Sequence, residues 1–323
     1  MNLTDNDHEI IIGNKDLYFK EKKLKDGNVF LNKRNKHVRF PGGLCNVYKY
    51  VLQDGSLKAL RIWKTIISEA KERSDAIAMY LKSLQSDYFV NFEYIKDAFS
   101  YNNFLYPIIL MEWCEGVDMK RYIDENISNR KKIEDLANQF LEMVKYFHKV
   151  GISHGDLHHE NIIVKDNGKI VVIDYDSMFV PSLKGYKDEC GGYPGYQHPA
   201  RVNNEYLSLK MDYFSELIIY LSLTLISKKP ELWTSEVQNY DRELLGTIDE
   251  LIKNENFFDF SIKGVPWMIT RLKMFLDYKS IDQLIPLEEV INEIIRNPQH
   301  APSQIRETSY DPDELKKILG KLK

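Results

Sequence analysis

A tight hairpin near the middle of the chain fixes where two polar side chains must lie. The β-branched run IIV (162–164) is followed by the turn KDNG (165–168) and by the run KIVVID (169–174). Two apolar runs joined by a short Asn-Gly turn predict adjacent antiparallel strands. Asn161 precedes the first strand and Asp174 ends the second, so an amide oxygen should lie beside a carboxylate. Because Mg²⁺ prefers such hard oxygen ligands, the sequence predicts a magnesium site at Asn161 and Asp174.

The stretch HGDLHHEN (154–161) leads into this hairpin and contains a further acid, Asp156. Its carboxylate stands on the preceding loop, where it could accept the proton of an attacking hydroxyl. One acid for the nucleophile and an Asn/Asp pair for a metal ion are the least that a phosphoryl-transfer site requires, because that chemistry depends on positioning and charge neutralisation. The alternative is a zinc site at His154, His158 and His159. No Cys/His pair at zinc-like spacing accompanies them in the sequence, which disfavours zinc.

Composition and charge disfavour several classes of protein. A chain of 323 residues with 43% hydrophobic residues can bury one large core or two smaller ones. A formal net charge of -4 does not provide the concentrated basic surface that duplex binding needs, so no nucleic acid partner is expected. Three widely spaced cysteines, Cys45, Cys114 and Cys190, favour reduced thiols over a disulfide framework.

Neither export nor membrane insertion is expected from the sequence. The amino terminus, MNLTDNDHEI, is polar and acidic, unlike a secretory signal. The run LIIYLSLTLI (217–226) is interrupted by serine and threonine and is shorter than the roughly 20 residues of a membrane span. We therefore expect a cytoplasmic protein with no membrane contact, and the sequence leaves its oligomeric state open.

Two regions of different character follow one another along the chain. In the first, the short β-like runs VRF, NVYKYVL and LKALRIW precede the helical pattern ISEAKERSDAIAMYLKSL, and YFVNFEYIKDAF and NNFLYPIILMEW predict two more strands. In the second, EDLANQFLEMVKYFHKVG has apolar residues at helical spacing and ends at Gly151, a C-cap residue. Another buried helix is expected from about Met211 to Lys228, before Pro230. The predicted class is α+β, with an antiparallel sheet and one main helix before a larger helical part.

The predicted boundaries divide the chain into four parts. These are an amino-terminal extension (1–29), a sheet domain (30–113), a helical domain (114–296) and a linker with a short helix (297–323). The linker, NPQHAPSQIRET, contains two prolines and few apolar residues. Asp311 is expected to cap the final helix, with Pro312 at its first position and Glu314 reaching back. This helix either docks on its own domain or binds a partner.

Several motifs, in the expected order, resemble the protein kinases and their kinase-like relatives. HGDLHHEN resembles the catalytic loop H-R-D-L-x-x-x-N, and IDYD (173–176) resembles the D-F-G segment. GYPGYQHPAR (192–201) is similar to the end of an activation segment, and MDYFSELIIY (211–220) to the helix whose aspartate, here Asp212, supports the catalytic loop. The resemblance extends over roughly 30–225. It implies a bilobal protein-kinase-like fold with ATP and Mg²⁺ as cofactors.

The resemblance also implies roles for individual residues. Asp156 would be the catalytic base, and Asn161 and Asp174 the magnesium ligands. His158, where a lysine is usual, would either donate to the transferred phosphate or simply face solvent. LMEWCEGVDM (110–119) resembles the hinge between the two lobes, with Met111 as gatekeeper, backbone groups of Glu112 and Cys114 for adenine, and Asp118 for the ribose. The residues expected at the nucleotide are Gly42, Gly43, Val47, Ala59, Arg61, Glu72, Met111, Glu112, Cys114 and Asp118.

Some positions depart from the family pattern. The glycine-rich loop G-x-G-x-x-G-x-V falls on FPGGLCNV, which puts Phe40 and Cys45 at two of the three glycines. Arg61 replaces the strand lysine of V-A-I-K; it can grip phosphates through its planar fork, although the two side chains are not interchangeable. Its expected partner is Glu72, preferred over Glu69 and Asp75. Gly155 replaces the arginine of H-R-D, so the usual phosphorylation switch has no anchor there and regulation should use another route.

The favoured function is serine/threonine protein kinase activity, with a protein hydroxyl as substrate. Two alternatives stay open. An HGDLHxxN loop is also characteristic of the aminoglycoside phosphotransferases and related small-molecule kinases, which would act on a small-molecule hydroxyl. The altered residues Cys45 and Arg61 leave room for a pseudokinase that binds nucleotide or serves as a scaffold. The segment after IDYD and the DYFS helix favour the protein-kinase arrangement.

Overall fold

The computed structural model describes residues 2–65, 69–233, 244–245 and 262–296. The predicted carboxy-terminal linker and helix (297–323) lie outside these ranges. The chain divides into two compact units, Met1–Glu115 and Gly116–Lys323.

In the described part of the first unit, six strands form an antiparallel sheet. β1 and β2 both pair with β3, and β4, β6 and β5 follow in that order across the sheet. Each strand predicted for the first region of the sequence is present in this sheet. The strands are β1 (Asn28–Val29), β2 (Arg39–Pro41), β3 (Cys45–Val51), β4 (Leu57–Trp63), β5 (Phe92–Tyr101) and β6 (Phe104–Glu112).

Helices of the first unit pack against the sheet. They are α1 (Asp5–Gly13), α2 (Lys15–Tyr18), α3 (Lys22–Asp26) and α4 (Ala70–Leu84). A capping box between Thr4 and Asp7 starts α1. Apolar side chains of the first helices share one buried cluster with alternate residues of β4; its members include Leu3, Ile11, Ile12, Phe19, Leu24, Leu60 and Ile62. This alternation places Arg61 on the opposite face of β4.

α-Helices are the main regular structure of the described second unit. Its helices are α5 (Met119–Asn126), α6 (Arg130–Val150), α7 (Tyr213–Lys228), α8 (Val265–Asp277) and α9 (Leu287–Arg296). As predicted, α6 ends at Gly151, whose φ of 70° is the left-handed conformation of a C-cap glycine. The buried helix α7 packs against both α6 and α8. Within the described ranges, no helix is both long enough and apolar enough to cross a membrane.

A small three-stranded sheet lies beside these helices. β7 (Val117–Asp118) pairs with β8 (Ile162–Val164), which pairs with β9 (Ile170–Val172), all antiparallel. Ile162 lies opposite Val172, and the backbone N–H of Gly168 donates to Lys165 O over 2.8 Å in the turn. The predicted hairpin is therefore present, and the α+β architecture expected from the sequence is confirmed.

Candidate active site

Asn161 and Asp174 stand at neighbouring ends of β8 and β9. The backbone N–H of Ile173 donates to the carbonyl of Asn161 over 3.0 Å, which continues the ladder one step beyond the paired strands. Asp174 has a φ of 67°, a left-handed conformation that is uncommon for a residue other than glycine. Such backbone conformations cluster at functional sites. The hairpin therefore brings these two candidate ligands to one place.

The side chain of Asn161 is tied to the loop of Asp156. Its Nδ2 donates to the backbone carbonyl of Asp156 over 2.9 Å. Because the nitrogen of the amide is used in this way, its oxygen is the atom that Asn161 can present to a cation. In the described ranges no three His, Cys, Asp or Glu side chains form a metal-binding group. The amide oxygen and the Asp174 carboxylate fit Mg²⁺ bound with phosphate, since such a site needs only one or two protein ligands.

The Asp156 carboxylate is held through one oxygen. Oδ1 accepts a hydrogen bond from the backbone N–H of Tyr193 over 2.6 Å. Oδ2 lies 3.7 Å from Nε2 of His158, and 26% of the Asp156 side chain is exposed. The imidazole of His158 packs against the ring of Tyr193, with 5.0 Å between the ring centroids. Asp156 is thus oriented by its neighbours and still accessible to a substrate hydroxyl.

His154 and His159, the other two histidines of this stretch, each have polar partners. Nε2 of His154 bonds the carbonyl of Ile173 over 2.8 Å, and its Nδ1 accepts from the N–H of Asp156 over 3.3 Å. His159 Nδ1 lies 2.8 Å from the hydroxyl of Tyr196. Burial, helped by nearby positive groups, lowers the pKa of His159 to about 3, so this imidazole is neutral at pH 7. His154 therefore links the Asp156 loop to the end of the hairpin.

Asp212 supports the backbone of the loop that carries Asp156. Its carboxylate accepts from the backbone N–H of His154, and from that of Gly155 over 2.9 Å. Burial raises the pKa of Asp212, although His154, Arg201 and the two backbone donors oppose this shift. The contact that the family resemblance implied for Asp212 is confirmed.

The glycine at position 155 is required by the local packing. Gly155 has a φ of 77°, and a Cβ atom there would lie 2.1 Å from the carbonyl oxygen of Ser177. The loop therefore has no room for the arginine of the H-R-D pattern. A buried arginine from another segment, Arg201, instead contacts the carbonyl of Gly155 through Nη1. Arg201 and Tyr193 are not among the site residues expected from the sequence. The sequence signal for an arginine from another segment is the glycine at position 155, where the family pattern has an arginine.

The candidate phosphate-binding residues of the first unit lie on β3, β4 and the turn before β3. Arg61 is buried, is paired with Val47 across the two strands, and donates through Nε to Cys45 Sγ over 2.9 Å. Gly42 donates its N–H to the carbonyl of Cys45 over 2.8 Å. Its own carbonyl accepts from Lys64 Nζ over 2.9 Å. Gly43 follows in the same turn; its chain neighbours aside, no atom of the described residues lies within 4 Å of an added Cβ there.

For the other residues expected at the nucleotide, the nucleotide-binding roles are still predictions. Ala59 pairs with Met111 across β4 and β6. The backbone N–H of Glu112 donates to Asn91 O over 2.9 Å, and its carboxylate accepts from Asn91 Nδ2 over 3.2 Å. Cys114 follows β6, and Glu72 lies in the first turn of α4. In the second unit, Asp118 caps α5 by accepting from the N–H of Arg121 over 3.0 Å.

Comparison with known proteins places these residues in a family context. The chain is 30% identical to the probable serine/threonine-protein kinase mkcD of Dictyostelium discoideum over 122 residues, which are 38% of this chain and 19% of that protein. It is 27% identical to the probable serine/threonine-protein kinase zyg-1 of Caenorhabditis elegans over 200 residues, 59% of this chain and 27% of that protein.

A third relative is a RIO-type kinase. The RIO-type serine/threonine-protein kinase Rio2 of Methanocaldococcus jannaschii is 27% identical over 146 residues, 40% of this chain and 53% of that protein. The chain thus spans about half or less of each of these three relatives. The family model of the protein kinase domain matches residues 41–277, from β2 to the end of α8. This match covers most of both units, and the chain belongs to the protein kinase domain family.

Proposed function

We propose that this chain transfers the γ-phosphate of ATP to a serine or threonine hydroxyl of a protein. The observation that supports this most strongly is the connection among the three candidate polar groups. Asn161 Nδ2 bonds the carbonyl of Asp156, and the backbone of Asn161 is paired beside Asp174 at the hairpin end. A base and a pair of hard oxygen ligands in one connected unit are what phosphoryl transfer requires.

Asp156 would act as the base. Its Oδ1 is held by the N–H of Tyr193, so Oδ2 is the oxygen that can take the proton of the substrate hydroxyl. Positioning and proton acceptance by such a group increase the rate of transfer by about 10²–10⁴-fold. His158 lies close enough to this oxygen to orient it or to donate to the transferred phosphate.

Asn161 and Asp174 would hold Mg²⁺ through the amide oxygen and the carboxylate. When bound, the ion supplies charge neutralisation for the phosphate oxygens. Because Asn161 is also bonded to the Asp156 backbone, it would keep the base at a fixed place relative to its own ligand oxygen. The connection among the base and the ligands therefore supports a positioning role for Asn161.

Residues of the first unit would bind the nucleotide. Arg61 would take the place of the strand lysine, and its bond to Cys45 would orient the guanidinium. Gly42 and Gly43 would let the turn approach phosphate oxygens. The N–H of Glu112 is already bonded to Asn91, so its carbonyl is the group it could offer to adenine. Cys114, Met111, Val47, Ala59 and Glu72 complete the proposed set of the first unit. Asp118 of the second unit is proposed for the ribose, and a cytoplasmic location is part of the proposal.

The test is a labelling experiment with γ-labelled ATP and Mg²⁺. The purified chain is incubated in separate reactions with generic protein substrates and with aminoglycosides. We expect acid-stable label on serine or threonine of a protein. Asp156→Asn and Asp174→Asn should each reduce this label at least about 100-fold while circular dichroism stays unchanged. Asp166→Asn, an exposed acid in the turn before β9, is the matched control and should label normally.

Each other outcome argues for a different function. Label on an aminoglycoside and none on protein would show a small-molecule kinase. A thermal shift with ATP but no transfer to either class would show a pseudokinase. Normal labelling by Asp156→Asn would contradict the assignment of the base, whatever the substrate.

A further inference from the structure

Arg201 is almost fully buried, and its guanidinium is paired with Asp188. Nε donates to Oδ2 over 2.7 Å, and Nη2 donates to Oδ1 over 3.1 Å. Nη1 donates to the carbonyl of Gly155 and to the side-chain oxygen of Gln197. Four of its five N–H groups are thereby used. Both side chains of the ion pair are buried, with exposures of 1% and 3%, so loss of either partner would leave a buried charge without its counter-ion.

The contacts of Arg201 reach Asp156 from two directions. Gly155, whose carbonyl Arg201 binds, directly precedes Asp156. Gly192 passes over the guanidinium: with a φ of +72°, its added Cβ would lie 2.9 Å from Nη1. The next residue, Tyr193, donates its N–H to Oδ1 of Asp156. Arg201 thus contacts both the backbone that carries Asp156 and the segment that orients its carboxylate.

Asp188 extends this support to the start of the same segment. Besides accepting two bonds from Arg201, its Oδ1 lies 3.4 Å from the backbone N–H of Gly191, in hydrogen-bond geometry. The ion pair therefore fixes both ends of the short stretch that leads to Tyr193. The stretch bends through two left-handed glycines, Gly191 and Gly192, where a side chain would be strained.

We propose that Arg201 is a positioning residue which, through Asp188, keeps the segment 188–193 ordered against the Asp156 loop without a phosphorylated residue. The proposal rests on the proposed function, because Asp156 is taken as the base. The Asp188 carboxylate supplies the negative charge that a phosphate would otherwise bring, and it already neutralises the guanidinium. The packing at Gly155 supports the same role. A side chain at this position would collide with Ser177, so an arginine that contacts the Asp156 loop must come from another segment of the chain.

The experiment compares wild type with Asp188→Asn, Arg201→Gln and the double variant. The wild-type chain is first treated with a phosphatase, and mass spectrometry verifies that no phosphate remains. Glu205→Gln is the matched control, because it removes the exposed Lys187–Glu205 ion pair of the same region, with 3.8 Å between the charged atoms. Amide hydrogen exchange of peptides covering 188–197 and 154–158 is measured together with kcat and KM for ATP.

We expect the phosphate-free wild type to retain full activity. Each single variant should lower kcat at least about tenfold, leave KM for ATP within about twofold, and increase exchange in both peptides at least about tenfold. The double variant should recover part of the kcat, because two neutral amides can bond to each other where one unpaired charge cannot. Glu205→Gln should match wild type in every measurement.

Three results would overturn the inference. They are loss of activity on phosphatase treatment, unchanged exchange in Asp188→Asn, and a lower melting temperature in that variant with kcat unchanged at a temperature where it is folded. If the wild type transfers no phosphate at all, the proposed function fails and the positioning role fails with it. In that case the exchange difference would still report whether the ion pair orders the segment, so the two failures are distinguishable.

Discussion

The side-chain amide of Asn161 donates a hydrogen bond to the backbone carbonyl of Asp156 over 2.9 Å. Asn161 therefore has two proposed roles. Its amide nitrogen holds the Asp156 loop, and its amide oxygen binds Mg²⁺. The two roles separate in two variants. Asn161→Ala removes both groups, whereas Asn161→Asp keeps an oxygen ligand but replaces the donor by an acceptor that faces the Asp156 carbonyl.

We therefore expect Asn161→Ala to lower kcat at least about 100-fold and to raise the Mg²⁺ concentration needed for half-maximal activity about 10- to 100-fold. Asn161→Asp should also lower kcat but leave the Mg²⁺ requirement closer to that of wild type. Phosphotransfer rates over a Mg²⁺ titration measure both. Asn167→Asp, in the exposed turn where Oδ1 accepts from the N–H of Lys169, is the control. Identical Mg²⁺ curves for wild type and Asn161→Ala would exclude Asn161 as a ligand.

Arg61 and Lys58 provide a test of the proposed binding of ATP phosphates by β4. Both lie on β4, but Arg61 is buried beside Cys45 whereas Lys58, three residues away, is on the other face of the strand by alternation. We expect Arg61→Ala to raise the Kd for ATP at least about tenfold, because charge-assisted bonds to phosphate are strong. Lys58→Ala should leave the Kd unchanged.

Isothermal titration with ATP measures the Kd directly and does not depend on turnover. Arg61→Lys adds a finer comparison: lysine retains the charge but lacks the planar fork, so only part of the affinity should return. Equal affinities for wild type and Arg61→Ala would show that this arginine does not bind the nucleotide.

The parts of the fold that the sequence predicts are those set by local periodicity. The helix ending at Gly151 and the hairpin around KDNG follow from apolar spacing and turn residues within a few positions of one another. The predicted and observed strands agree for the same reason. The burial of Leu3 and Ile11 in one cluster with Leu60 could not be read from residues 1–29, because the surface they cover comes from β4.

The candidate site is predictable only in part. Asp156, Asn161 and Asp174 are close in sequence or joined by a two-stranded hairpin, so their proximity follows from local structure. The N–H of Tyr193 reaches Asp156 across 37 residues, and Arg201 reaches Gly155 across 46. Such contacts depend on how an irregular segment folds back, which neither periodicity nor turn chemistry determines.

Gly155 should tolerate no side chain. Its left-handed backbone and the 2.1 Å approach of an added Cβ to Ser177 O predict that Gly155→Ala destabilises the second unit by at least about 2 kcal/mol. Urea unfolding followed by tryptophan fluorescence measures the change. Gly13→Ala is the control, since an added Cβ there would meet no atom within 4 Å in the described part of the chain outside its own helix. A Gly155→Ala chain as stable as wild type would show that the loop can move away from Ser177.

His148 forms a buried contact with two carboxylates from different helices. Its Nε2 lies 2.8 Å from Glu216 on α7, and its Nδ1 lies 2.6 Å from Glu288 on α9. Burial alone lowers the pKa of His148, but the two carboxylates outweigh it and raise the pKa to about 9. The protonated imidazole therefore joins α6 to α7 and α9 at neutral pH.

This arrangement predicts how stability depends on pH. Because the pKa in the folded chain lies above the ordinary 6.5, protonation of His148 stabilises the fold fully below pH 6.5, and that contribution is lost as pH rises to about 9. The shift corresponds to about 3 kcal/mol at most. His148→Gln should therefore be less stable than wild type at pH 6, and the difference should shrink towards pH 10. Urea unfolding at a series of pH values measures this difference.

His37→Gln is the control. It alters the more exposed contact with Glu9 and should parallel wild type throughout. A constant difference between wild type and His148→Gln from pH 6 to pH 10 would show that the imidazole does not stabilise the fold through its charge.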